Sequence, residues 1–303
     1  MENIFMITGA TDGIGLHTAC KLASVADVLI LHGRNPVRLE AAVRQVQAQS
    51  SSLKVHTVLG DLSSILEVRD IARQVISLVP YLNCLINNAG VFSPNYQLSK
   101  DGVELTFAVN VLAPYLLTSL LKDLLLKAKN PRLINTSSIS QSSSVPGEYQ
   151  LHESNYSKYE AYAQSKLFDV MLTMGQAVDL PDVIVVSLDS GTVNTKMLCS
   201  RLLIYQIVLL YSWILAVDLP DVVVVSLDPG TVNTKMLLAG WGECGIPVSQ
   251  ADDTYWLATT QEVDLSNSGD YFNNRIPRKK HPVSRNHILE LFQYLDNIIQ
   301  EKS

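Results

Sequence analysis

Short runs of consecutive apolar residues alternate along the first part of the chain with longer stretches in which apolar residues return every three or four positions. Runs of the first kind suit strands buried on both faces; stretches of the second kind suit helices laid against a sheet. Residues 4–8, 27–31, 54–59, 82–86 and 132–136 read as five strands. Helical patterns follow at 14–22, at 37–49, from Ser63 onward and at 101–127. Later, 248–260 reads as helix, 270–273 as a last strand and 286–299 as a helix with an apolar stripe. This order predicts a doubly wound α/β fold, a mostly parallel sheet with helices on both faces, in a single domain spanning 1–303.

The residues at the strand ends carry the candidate chemistry. After the first strand comes TGATDGIG, with Gly9, Gly13 and Gly15 ahead of a helix. Glycines let the backbone approach a pyrophosphate, and a helix N-terminus offers N–H groups and a positive dipole end; a tight connection alone would need no more. The second strand ends in His32, Gly33, Arg34 and Asn35. An NAD site is expected to hold a carboxylate about 20 residues past the glycines, and Arg34 stands there instead. Arginine suits the 2′-phosphate of NADP, with Arg38 beside it, and equally suits a solvated helix start. Asp61, after the third strand, can meet an adenine edge or cap the next helix.

Inside the long helix at 101–127, Pro114 has no N–H for the carbonyl of Asn110. A held water could take that carbonyl, as could an ordinary kink. Ser138 ends the fifth strand, where such sheets bind ligands and where turns also favour serine. Tyr162 and Lys166 stand one helical turn apart, and an ammonium beside a phenol favours the phenolate. Alone, the pair describes many surface helices.

Composition narrows the classes. The 303 residues are 47% hydrophobic with net charge −6, which suits a large core and argues against a nucleic-acid partner. The short basic run at 278–280 reads as a solvated face. Cys20, Cys84, Cys199 and Cys244 have no paired spacing, so no metal site or disulfide framework is expected, and reduced thiols suit a cytoplasmic location. The first ten residues run straight into strand pattern, leaving no room there for a signal peptide.

TGATDGIG, the Asn-Asn-Ala-Gly at 87–90, Asn110, Ser138 and Tyr162-Ala-Gln-Ser-Lys166, in this order, closely resemble the short-chain dehydrogenase/reductase family over nearly the whole chain. The spacer between Ser138 and Tyr162, AYAQSKL, the stretch at 240–259 and the late SGDYF resemble its retinol-dehydrogenase-like and WW-domain-oxidoreductase-like branch. The resemblance implies a Rossmann fold and an oxidoreductase that moves hydride between NADPH, or less favourably NADH, and a lipophilic carbonyl or alcohol such as a retinoid, steroid or aliphatic aldehyde or ketone. Tyr162 would be the general acid/base, Lys166 would depress its pKa and hold the nicotinamide ribose, Ser138 would bond the substrate oxygen and Asn110 would keep the relay water. Cofactor contacts are implied for Thr8, Gly9, Gly13, Ile14, Gly15, Arg34, Asp61, Leu62, Asn88, Ala89, Gly90, Tyr162, Lys166, Pro229, Gly230 and Thr231. A homo-oligomer is left open. A different class is also open: a catalytically impaired, dinucleotide-binding interaction protein.

The chain departs from that pattern late. Residues 177–198 and 216–237 are the same sequence except for Ile184 against Val223 and Ser190 against Pro229. Two copies compete for one strand position, and the second is favoured because Pro229 and Gly230 supply the family's nicotinamide loop. Between them, 199–215 is an apolar segment shorter than a spanning helix needs. An extra helix or a duplicated or mis-joined coding segment is favoured over membrane-surface contact. Trp241 and Trp256 suit core packing more than a greasy pocket wall.

Overall fold

A computed structural model describes residues 2–138, 140–180, 182–188, 224–228, 248–260, 263, 270–273, 276–279 and 283–302. Nine strands form one sheet: β1 (Ile4–Ile7), β2 (Val28–Gly33), β3 (Lys54–Leu59), β4 (Cys84–Asn87), β5 (Arg132–Thr136), β6 (Ile184–Leu188), β7 (Val224–Asp228), β8 (Asp270–Asn273) and β9 (Ile276–Lys279). The helices are α1 (Gly13–Leu22), α2 (Pro36–Gln47), α3 (Ile65–Leu78), α4 (Leu105–Leu126), α5 (Lys158–Asp179), α6 (Asp253–Thr259) and α7 (Arg285–Glu301). Strand order is β3-β2-β1-β4-β5-β6-β7-β8-β9, with every neighbouring pair parallel except β8 and β9. The order reverses between β1 and β4, which opens a crevice at their carboxyl ends, the place where doubly wound sheets hold ligands.

Alternation along the strands builds two cores. Ile4 and Met6 of β1 join Val28 and Ile30 of β2 in one cluster, covered by residues of α3, α4, α5 and α7. Phe5, Ile7, Leu29 and Leu31 point to the opposite face, with residues of α1, α2 and α6. Every residue of β1, β2 and β4 is buried, as strands covered on both faces require, whereas β3, at the sheet edge, exposes Lys54, Thr57 and Leu59. Gly175 lets α5 and α7 close on each other, since a Cβ there would lie 2.3 Å from the Phe292 ring.

Three expectations change. The two sequence copies do not exclude one another: the first supplies β6 beside β5, and the second supplies β7 beside β6. They pair in register, each residue next to its own counterpart, Ser187 against Ser226 among them. Chain order decides the inner place, because the first copy follows α5 through a short connection. The same apolar run suits either central position of an open parallel sheet, so the second copy adds a strand and moves β8 one place outward. Residues 276–279, where a polar basic tail is expected, form β9. The helix read across 248–260 is a single 3-10 turn, Val248–Gln250, followed by α6.

Candidate active site

Thr8 and Asn88 join the two sides of the crevice. The buried Thr8 hydroxyl accepts from the N–H groups of Asn88 and Ala89, both at 3.0 Å, while the Asn88 amide donates to the Thr8 carbonyl at 2.9 Å. Gly9 and Gly13 have φ of 65° and 55°, a conformation that side chains resist. A Cβ on Gly15 would sit 2.4 Å from the Gly9 carbonyl oxygen and 2.5 Å from the Asn88 amide nitrogen, so the start of α1 can come this close only with glycine. Asp12 caps α1 by accepting the Gly13 N–H, and Ile14 follows in its first turn, half-buried.

At the neighbouring strand ends, Arg34 and Arg38 are both exposed, and the loop after β3 joins them through the Gly60 N–H, which donates to the Gly33 carbonyl. Among the described residues neither arginine has an ion-pair partner. Asp61 does not cap α3: Ser64 does, and Asp61 accepts the Ser63 N–H at 3.0 Å. Leu62 is buried and joins the core cluster. His32 links the two loops, its ring bonded to the Gly60 carbonyl at 3.0 Å and to the Gly9 N–H at 3.4 Å. Burial pushes this imidazole down to about 4, against the opposing pull of the Gly60 carbonyl and Asp61. As the neutral ring it donates from Nε2 and accepts at Nδ1.

The end of the crevice beside β5 is stitched from three elements. In α4 the expected break at Pro114 is a π-turn, Ala108–Leu112, in which Ala113 donates its N–H five residues back to Ala108. The wide turn carries the buried Asn110, whose Oδ1 accepts the Val91 N–H at 2.8 Å and whose Nδ2 donates to the Val91 carbonyl and Ser165 Oγ, both at 3.0 Å. Ser165 in turn donates to the Tyr162 carbonyl at 2.8 Å. Lys166 Nζ donates to the Thr136 carbonyl at 2.8 Å, and Ser137 Oγ donates to the Lys166 carbonyl at 2.7 Å, so the end of β5 holds the lysine at both of its ends. The position of a Cβ on Gly90 lies 3.4 Å from Asn110 Oδ1 and 3.8 Å from Lys166 Nζ, which brings all three residues together.

Tyr162 lies on the same face of α5, 8% exposed, with Lys166 Nζ 5.6 Å from the centre of its ring. Phe92 meets that ring edge-on at 5.6 Å and is itself backed by Tyr159, whose ring centre lies 5.5 Å from that of Phe92. Ser138 Oγ accepts the Ser140 N–H at 3.2 Å, and the following loop is tied to α5 by the Ser142 N–H on the Ala163 carbonyl. Pro229, Gly230, Thr231, Trp241 and segment 199–215 lie outside the described residues, while Trp256 packs against the core around α1. Among the described residues, α4 is the one helix long and apolar enough to cross a membrane, and 67% of its apolar window is buried inside the protein.

Two participants escape the sequence motifs. Asp169 pairs with Lys166 at 2.9 Å inside the core, and His32 joins the loops after β1 and β3. The available signals were a charged residue in the apolar stretch LFDVML and a histidine closing the apolar run VLIL.

A family model described as short chain dehydrogenase matches residues 3–202. Retinol dehydrogenase 13 of Mus musculus is 33% identical over 199 residues, covering 63% of this chain and 59% of its own length. The chain thus spans less than two-thirds of that relative. An uncharacterized protein from Mycobacterium paratuberculosis has a similar structure, with TM-score 0.64, 22% identity and coverage of 98% of this chain and 93% of its own. A metagenomic short-chain oxidoreductase in complex with NADP aligns with TM-score 0.52 and 27% identity over 63% of this chain and 83% of its own.

Proposed function

The chain belongs to the short-chain dehydrogenase family, and on that premise we propose that it interconverts a carbonyl and an alcohol on a lipophilic substrate, using NADP. The observation that carries the reading is the buried Lys166 ammonium beside the Tyr162 ring, one turn along α5 and next to Gly90 and Asn110. A phenol in this position can exchange a proton with a substrate oxygen, because the adjacent positive charge stabilises the phenolate it leaves.

The glycine turn and the start of α1 fit a pyrophosphate: Gly9, Gly13, Ile14 and Gly15 bring backbone, without side chains in the way, to a helix N-terminus. Arg34, exposed and unpaired with any described acid, fits a 2′-phosphate, with Arg38 beside it; Asp61 faces the same end and suits the adenine edge. Asn88, Ala89 and Gly90 would line the middle of the dinucleotide, and Lys166 would hold the nicotinamide ribose. A bound nicotinamide supplies the hydride in reduction and takes it in oxidation.

The protein's own groups handle the rest. In reduction, Ser138 donates a hydrogen bond to the carbonyl oxygen and Tyr162 gives that oxygen its proton as the carbon gains the hydride. Oxidation runs the same steps backward, with Tyr162 as base. Asn110 keeps the Val91 backbone and Ser165 in place, so the loop carrying Gly90 and the turn carrying Tyr162 stay in register. Phe92 offers apolar surface beside the phenol, and the retinol dehydrogenase relative supports a lipophilic substrate. Free Cys20 and Cys84 suit a reducing compartment such as the cytoplasm.

A second reading rests on β7. The extra strand moves β8 outward on the side of the sheet where substrate loops follow β6, which favours a dinucleotide-binding protein without turnover. Titration of the purified chain with NADPH and NADH, followed by a panel of retinoid, steroid and aliphatic carbonyls, separates the two. Tight NADPH binding with substrate-dependent oxidation supports the enzyme; binding without oxidation supports the second reading, and no binding of either nucleotide defeats both.

A further inference from the structure

Asp169 follows Lys166 by three residues on α5 and turns inward with it, leaving the two side chains 3% and 5% exposed. Its neighbours Leu167, Phe168, Val170 and Met171 are all buried. A carboxylate in such surroundings is a poor device for stability, because desolvation of both ions offsets their attraction and an apolar residue fills the space at less cost. Its partner, however, is the lysine on which the Tyr162 chemistry depends.

We propose that Asp169 is a positioning residue: its carboxylate fixes the Lys166 ammonium between the end of β5 and the Tyr162 ring, and its charge sets how much of the ammonium's field reaches the phenol. This rests on the acid–base reading of Tyr162. The geometry is a chain of three groups, with Asp169 Oδ2 at 2.9 Å from Lys166 Nζ and that nitrogen 5.6 Å from the Tyr162 ring centre. The Thr136 carbonyl, at 2.8 Å, is the fixed point against which the ammonium is held.

Among the described residues, the groups set against the pair are the Thr136 carbonyl and Ser137 hydroxyl from the end of β5 and, beside Gly90, the Asn110 amide from the π-turn of α4; none of these titrates in the working range. On α5 the pair and the phenol, Tyr162, Lys166 and Asp169, are the titrating groups in this chain of contacts, while Lys158, Tyr159, Glu160 and Asp179 lie toward the ends of the helix. Burial raises the Asp169 carboxyl to about 6, with Lys166 the charge that pulls it back. Above that point the ionised carboxylate partly cancels the ammonium; below it the ammonium acts on the phenol unopposed. A unit charge at this range is worth on the order of one pH unit to the phenol.

Fluorine NMR of the protein labelled with fluorotyrosine reads this without turnover, the Tyr162 resonance being identified by its loss in Tyr162→Phe. In the unmodified protein the resonance should pass through an inflection at about pH 6, the carboxyl's own titration point. In Asp169→Asn, which keeps an acceptor for Lys166 and drops the charge, the inflection should vanish and the phenol should titrate about one pH unit lower. The pH profile of kcat/KM should move the same way. A flat trace across the same interval in the unmodified protein overturns the proposal even if the variant fails to fold, as does an unshifted phenol in a folded Asp169→Asn. An inflection in a protein that turns over nothing would defeat the enzyme reading and leave this coupling standing.

Discussion

The side-chain amide of Asn110 grips both backbone groups of Val91, accepting its N–H at 2.8 Å and donating to its carbonyl at 3.0 Å. The turn that presents the amide is the π-turn ahead of Pro114, and the residue it grips follows the Asn88-Ala89-Gly90 loop directly. A backbone irregularity in one helix thereby fixes the loop that follows β4.

Asn110→Leu should therefore cost more than a lost side-chain bond. It leaves the Val91 N–H and carbonyl and the Ser165 hydroxyl short of partners, worth about 2–4 kcal/mol in urea unfolding. NADPH affinity should fall about tenfold as the Gly90 loop loosens. Unchanged stability together with unchanged affinity would show that the clamp does nothing for the site.

Arg34→Ala should separate the two nucleotides. Removing a charge-assisted contact to the 2′-phosphate weakens NADPH binding by about 10- to 100-fold and leaves NADH nearly untouched. Equal weakening of both in fluorescence titrations would put Arg34 elsewhere than at the phosphate.

The first five strands and the motif residues were legible because the physics there is local. Apolar runs such as IFMI and VLIL suit strands covered on both faces, and glycine, asparagine and serine at their ends mark turns at the crevice. The Pro114 signal pointed to a disturbance at Asn110, and the structure turns it into a π-turn. What stayed hidden depends on tertiary neighbours. Nothing in LFDVML says that Asp169 turns inward to meet Lys166, since a carboxylate three residues from a lysine reads equally well as a surface pair. Two near-identical copies differ only in their place along the chain, and the in-register pairing of β6 with β7 follows only once the sheet is assembled.

His32 gives the fold an acid-sensitive joint. Its folded-state pKa of about 4 lies below the unfolded value near 6.5, so as pH falls the unfolded chain takes up the proton first. The stabilisation is complete above about pH 6.5 and is lost toward pH 4, by about 3 kcal/mol in all. Asp169 slopes the other way. Its folded pKa of about 6 exceeds the ordinary 3.8 of an aspartate, so its contribution is present at low pH and lost as pH rises through about 6. Urea midpoints should therefore change little between pH 4 and 6.5 in the unmodified protein and fall steeply with acid in Asp169→Asn. In His32→Gln the dependence should reverse, with stability rising as pH falls. Parallel profiles for all three proteins would contradict this assignment of the two groups.

Tyr162→Phe tests the central claim most directly, because it removes one oxygen and keeps the ring against Phe92 and Lys166. With NADPH and the best carbonyl of the panel, the account predicts a fall in kcat of about 10²- to 10⁴-fold with the NADPH dissociation constant unchanged. Turnover at the unmodified rate in a variant that still binds NADPH would contradict it.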